Sequence, residues 1–145
     1  MEAKGKSLAS FFDDGVTPAK KEEKVKEKGC CLPALLLKAR TDAHISHLLQ
    51  KDKTLARHEA FGTFYEEILG KADAFIESYM GIFPLTEIEV EASCCIDEPI
   101  VYFTDLYNQI QVEKAKLTEG YLQNQCDEIS QLIAQTLYRF KNITT

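Results

Sequence analysis

The sequence predicts an all-α protein: a four-helix bundle with a long crossover between its second and third helices, preceded by a flexible N-terminal tail. Three observations predict it. Apolar residues recur at helical three- and four-residue steps in four stretches after Pro33. The breaks between those stretches run short, long, short, and one long crossover in a bundle is the ferritin-like topology. Before Pro33 the helical periodicity is missing. Residues 1–32 are therefore assigned to the tail and residues 33–145 to the bundle.

The segment "GVTPAKKEEKVKEKG" mixes charges, carries one proline and is nearly devoid of apolar side chains. Such a composition buries too little surface to offset the entropy of ordering. Within the tail, "SLASFF" forms a short apolar knot of Leu8, Phe11 and Phe12. It reads either as an unstructured end or as a docking peptide that folds onto its own oligomer or a partner.

The first helix opens at Pro33, a residue suited to a first helical turn, and Leu37, Thr41, His44 and Leu48 lie on one stripe. A polar break, Lys51-Asp52-Lys53, follows, with Thr54 as the N-cap of the second helix. That helix is expected to run to about Met80 and stop at Gly81, a favoured C-cap residue. The short break makes the two helices antiparallel neighbours. Residues 82–98 contain Pro84 and a brief alternation, Ile88-Glu89-Val90-Glu91, consistent with an extended crossing or a small irregular element. The third helix begins near Pro99 and carries Ile100, Phe103, Leu106/Tyr107, Ile110 and Lys114 at helical spacing. Gly120 or its neighbours interrupt it, and the fourth helix carries Tyr121, Ile129, Leu132/Ile133, Thr136/Leu137 and Phe140.

Bulk properties narrow the function. The chain has 145 residues, of which 45% are hydrophobic, enough for one domain with a real core. It has no apolar run long enough to span a membrane. Its first residues lack the apolar region of a secretory signal, so the expected location is the cytoplasm. Net charge is −6, and the acidic residues are concentrated in the bundle. An acidic body repels a phosphate backbone and attracts cations. Five cysteines occur, four of them in the adjacent pairs Cys30/Cys31 and Cys94/Cys95. Vicinal cysteines do not follow the Cys-x-x-Cys zinc spacing. They read as reduced thiols, the alternative being a metal site or disulfide joining the two pairs. No nucleophile triad, phosphate loop or dinucleotide fingerprint is present.

The chemistry concentrates on the second helix. With His58 at zero and about 100° per residue, Phe61, Phe64, Tyr65, Ile68, Ala72, Phe75 and Tyr79 cover an arc from about 240° to 340°. His58 lies on its border, and Gly62, Asp73, Glu66 and Glu77 follow at about 40° to 100°. The polar stripe is thus beside the apolar face, where a second subunit could cover it. Buried carboxylates are costly unless paired with a cation, and a histidine with carboxylates suits iron, manganese or zinc. His58 and Asp73 are separated by roughly 22 Å of helical rise, so one copy of the helix cannot wrap one ion. Two antiparallel copies could, with His58 of one chain meeting Asp73 and Glu77 of the other.

His58, fourteen intervening residues, Asp73, three more and Glu77 together resemble the ferroxidase motif of the Dps miniferritins, with a cadence closest to Dps-like proteins of tailed phages. The resemblance covers residues 33–142 in helix order and is specific around 44–81. It implies a ferritin-like fold, a second histidine from the preceding helix (His47, or His44 one turn away) and two sites across each dimer two-fold. It also implies iron, with zinc or manganese as other candidates, a homo-oligomer built on dimers and up to a dodecamer, and oxidation of Fe(II) by peroxide or oxygen. The chain departs from the family where an acid is expected four residues after His58: Gly62 stands there, and Glu66, one turn later, is the substitute. Tyr65, near the stripe, either shuttles an electron or packs. A lysine-rich tail serves DNA binding in several family members; here Lys4, Lys6, Lys20, Lys21, Lys24, Lys26 and Lys28 are interleaved with Glu22, Glu23 and Glu27. Three functions follow as expectations: a metal-binding or ferroxidase miniferritin, a non-enzymatic phage accessory or virion-associated bundle that keeps the fold, and a DNA-compacting protein.

Overall fold

A computed structural model describes residues 30–51 and 53–145. The expectations placed on the tail before Cys30 lie outside the described residues. Among the described residues four α-helices form: α1 (Leu32–Leu48), α2 (Leu55–Met80), α3 (Pro99–Lys114) and α4 (Gly120–Asn142). The described residues contain no strand, so the protein is an all-α four-helix bundle.

Local chemistry accounts for the helix ends. Pro33 sits in the first turn of α1, and Pro99 opens α3, where a missing N–H removes a donor that would lack a partner anyway. Thr54 caps α2 as its sequence position suggests: its backbone is extended, and its hydroxyl accepts the Arg57 N–H at 3.2 Å. Gly81 ends α2 differently from expectation. Its φ is −65° and its ψ is −22°, so it continues the helical conformation instead of reversing it. Phe83 N–H then closes a last turn on Tyr79 O at 2.8 Å, and Pro84, which has no N–H to offer, follows.

In the bundle, α1 packs on α2, α2 on α4 and α4 on α3. The backbones of α2 and α3 are not neighbours; they meet across the diagonal through rings. Phe64 meets Phe103 edge-on at 4.7 Å, and Phe61 and Phe103 both pack on Phe140 of α4, at 4.8 and 5.7 Å. Phe61, Phe64, Phe75 and Phe103 have no exposed surface. Burying a phenylalanine is worth about 1.5–3 kcal/mol, so this cluster dominates the core. Along α1 the buried stripe is Leu32, Leu36, Ala39, Ala43 and Ser46, whereas Leu37, Thr41 and His44 are half-buried and Leu48 is exposed. Two registers of equal period compete on this helix. Only the small alanines let its backbone come close to its neighbours, and that closeness settles which register turns inward.

The connection from α2 to α3 contains no helix or strand between Pro84 and Ile96. Side chains of α1 hold its last part. Asp42 accepts the Cys94 N–H at 3.0 Å, and Ser46 Oγ accepts the Ile96 N–H at 2.8 Å. Two residues of extended chain advance about 6.6 Å and one helical turn about 6 Å, so alternate amides of the connection match a one-turn pair on the helix. Arg57, in the first turn of α2, donates to Ile96 O at 3.3 Å and Asp97 O at 2.9 Å.

Candidate functional site

His47 ends α1 and His58 lies in the second turn of α2, so the short α1–α2 connection folds them onto one another. Their rings stack with centroids 3.8 Å apart and planes 26° from parallel. Each ring also reaches across to the other residue's backbone: His47 Nδ1 lies 2.9 Å from His58 O, and His58 Nδ1 lies 3.0 Å from His47 O. A carbonyl oxygen only accepts, so both Nδ1 atoms carry a proton, and in the neutral form of such a ring the lone pair is on Nε2. His44, one turn earlier on α1, stacks on Tyr65 at 4.2 Å with planes 14° apart, and Tyr65 lies 5.3 Å from His47. All three histidines and Tyr65 therefore form one half-buried patch on the α1–α2 seam.

Gly62 belongs to the same patch. A Cβ built there would lie 3.0 Å from His47 Cε1 and Nδ1. The His47 ring thus stands against the space in which a side chain at position 62 would begin. Glu66 lies one turn later on α2. It is exposed, with only a long 3.5 Å contact from the Tyr65 hydroxyl.

Asp73 and Glu77 are exposed on α2 and meet none of the histidines of the same chain. Among the described residues, no three His, Cys, Asp or Glu side chains converge closely enough to hold an ion. The sites linking Cys30/Cys31 to Cys94/Cys95 are not formed either: the described cysteines are thiols and form no disulfide. Cys126 is fully buried on α4, and burial pushes its thiol up to about 11.

Sequence reasoning missed a second polar constellation. Asp42 has no exposed surface, yet it takes three hydrogen bonds, from Lys38 Nζ at 2.6 Å, the Tyr102 hydroxyl at 2.7 Å and the Cys94 amide. Burial of the Tyr102 phenol, reinforced by its hydrogen bond to Asp42 and by the charge of that carboxylate, drives its pKa well above the usual tyrosine value. In the sequence an acid one helical turn after Lys38 reads as an ordinary helix-surface pair and does not single out Asp42.

A family of unknown function (DUF5856) matches residues 47–140. The chain belongs to that family. The DUF5856 match begins at His47 and takes in both members of the stacked pair, all of α2 and α3, and most of α4. No curated protein matches the chain. No solved structure matches it either. The comparisons connect this DUF5856 member to no miniferritin or ferritin.

Proposed function

We propose that the protein is a non-enzymatic bundle of ferritin-like topology in which the histidines lock two helices together instead of forming a ferroxidase centre. The stacked His47–His58 pair carries this reading. A metal lies in the plane of each imidazole that binds it, about 2 Å from the nitrogen. With rings stacked face to face at 3.8 Å, an ion in the plane of one sits roughly 2 Å or more out of the plane of the other. The two rings cannot chelate one ion without unstacking and giving up two hydrogen bonds to carbonyls. The ferritin-like topology draws support from the α2–α3 connection. It leaves the C-terminal end of α2 and is held by Arg57 near the N-terminal end, so α3 starts where α2 starts, on the bundle diagonal. A connection of this kind is what a long crossover of that topology requires, and it supports the reading.

The test is to load the purified protein with Fe(II) without oxygen, remove loosely held ion, count metal per chain and then add peroxide. Retention far below one ion per chain, with no acceleration of oxidation over buffer, is expected. Stoichiometric retention with rapid oxidation would overturn the reading in favour of a miniferritin.

One observation favours that second reading. Ligating histidines usually donate their other ring N–H to a carbonyl or carboxylate, and both His47 and His58 already do so. An iron, zinc or manganese site would then take one Nε2 from this pair and Asp73 and Glu77 from a second copy. The substitution His58→Ala separates the two: the lock predicts a loss of about 1–2 kcal/mol of stability with metal content unchanged, the shared site a loss of bound metal.

A further inference from the structure

We propose that the groove between α1, α3 and residues 84–91 is the docking site of the chain's own N-terminal segment, residues 1–29. The groove has a volume of about 860 Å³ and an open mouth. Its apolar walls come from three places: Leu35 on α1, Leu85 and Ile88 on the connection, and Val112 on α3. Two of these are unusually uncovered for their type, Ile88 at 39% exposure and Val112 at 60%. Covering them removes apolar surface from water at about 25 cal/mol per Å².

The N-terminal segment is the occupant for three reasons. The first is continuity. Cys30 and Cys31, the residues that follow it, are themselves groove walls, so the described residues begin at the groove. The second is charge. Glu89 and Glu91 line the rim, and the last ten residues of the segment carry Lys20, Lys21, Lys24, Lys26 and Lys28 against Glu22, Glu23 and Glu27, a net charge of +2. The third is apolar content. Leu8, Phe11 and Phe12 form the one apolar cluster of the segment, and the span from Phe12 to Cys30 reaches up to about 60 Å, so length does not keep them from the groove. Tethering at Cys30 makes the contact intramolecular, with an effective concentration of order millimolar. Even a weak intrinsic affinity is then enough for substantial occupancy. The proposal is independent of whether the histidine patch binds metal.

The experiment is amide hydrogen exchange on the full chain, reading the peptides that cover 84–91 and 108–113. It compares the wild type with the double substitution Phe11→Asp/Phe12→Asp and with Glu89→Lys/Glu91→Lys. The thermal midpoints of both variants check that the bundle is intact. Exchange in these peptides is expected to accelerate about threefold or more in each variant, and in the wild type on adding salt to screen the charges, with protection independent of protein concentration. Equal exchange in wild type and variants overturns the proposal. Protection that grows with protein concentration overturns it as well, and assigns the groove to a second copy.

Discussion

Gly62 shows how one side chain, or its absence, sets the chemistry of the seam. Replacing glycine by alanine in a helix ordinarily gains about 1 kcal/mol of helix propensity. Here the new Cβ meets the His47 ring at 3.0 Å, and that ring cannot swing freely, because it is stacked on His58 and bonded to His58 O. Overpacking costs about 1–3 kcal/mol. Gly62→Ala is therefore expected to be destabilising by about 1 kcal/mol, measured by denaturant unfolding, while a stabilised variant would show that the His47 clasp yields. Cys126 gives a prediction with a sign in pH. Its folded pKa of about 11 exceeds the ordinary thiol value of 9.0. The unfolded chain thus loses this proton first as pH rises. The contribution is fully present below about pH 9 and is lost as pH climbs through 11. Tyr102, raised in the same direction, adds to the alkaline loss. Unfolding free energy should fall from pH 9 upward, and Cys126→Ser should flatten the lower part of that fall.

At the scale of elements, the question is what holds a long connection lacking regular structure against a helix. Where such a connection packs on a helix, its backbone polar groups need partners. Asp42 and Ser46 provide two of them, one helical turn apart, and Arg57 provides donors for the next two carbonyls. Asp42 also bonds Tyr102 of α3 and Lys38 of α1, so one carboxylate ties three elements together. Asp42→Ala leaves Tyr102 and the Cys94 amide without their acceptor and removes the counter-charge of half-buried Lys38. A loss of about 3 kcal/mol is expected, as for breaking a buried pair on one side. Tyr102→Phe should cost only about 1 kcal/mol, because one hydrogen bond is lost and no charge is stranded. Similar losses in the two variants would show that Asp42 acts through Tyr102 alone.

For the whole molecule, charge and assembly are the open properties. No described helix is long and apolar enough to cross a membrane. The acidic side chains Glu66, Asp73 and Glu77 are all exposed on α2, so a two-fold dimer through this helix would bring like charges together unless a cation or a lysine from the partner intervenes. The non-enzymatic reading therefore expects native mass to be unchanged by Asp73→Lys/Glu77→Lys. The shared metal site expects the same variant to lose both metal and dimer. Native mass spectrometry at micromolar concentration, with and without Fe(II), reads the difference.

The sequence by itself determined the helix count, the two proline starts, the Thr54 cap and the phenylalanine face of α2, since each is a local or periodic property that survives without knowledge of the fold. It also brought the three histidines into one neighbourhood, because a short connection between two helices leaves few ways to arrange residues 44–58. Tertiary structure alone decided what that neighbourhood became. That His47 stacks on His58 depends on the rotation of α1 about its axis, which the stripe of Leu37, Thr41, His44 and Leu48 did not fix. Asp42, Ser46, Arg57 and Tyr102 were silent in the sequence for a related reason. Their partners lie 39 to 60 residues away in the chain, and no local pattern encodes a bond between a helix side chain and the backbone of a distant extended segment.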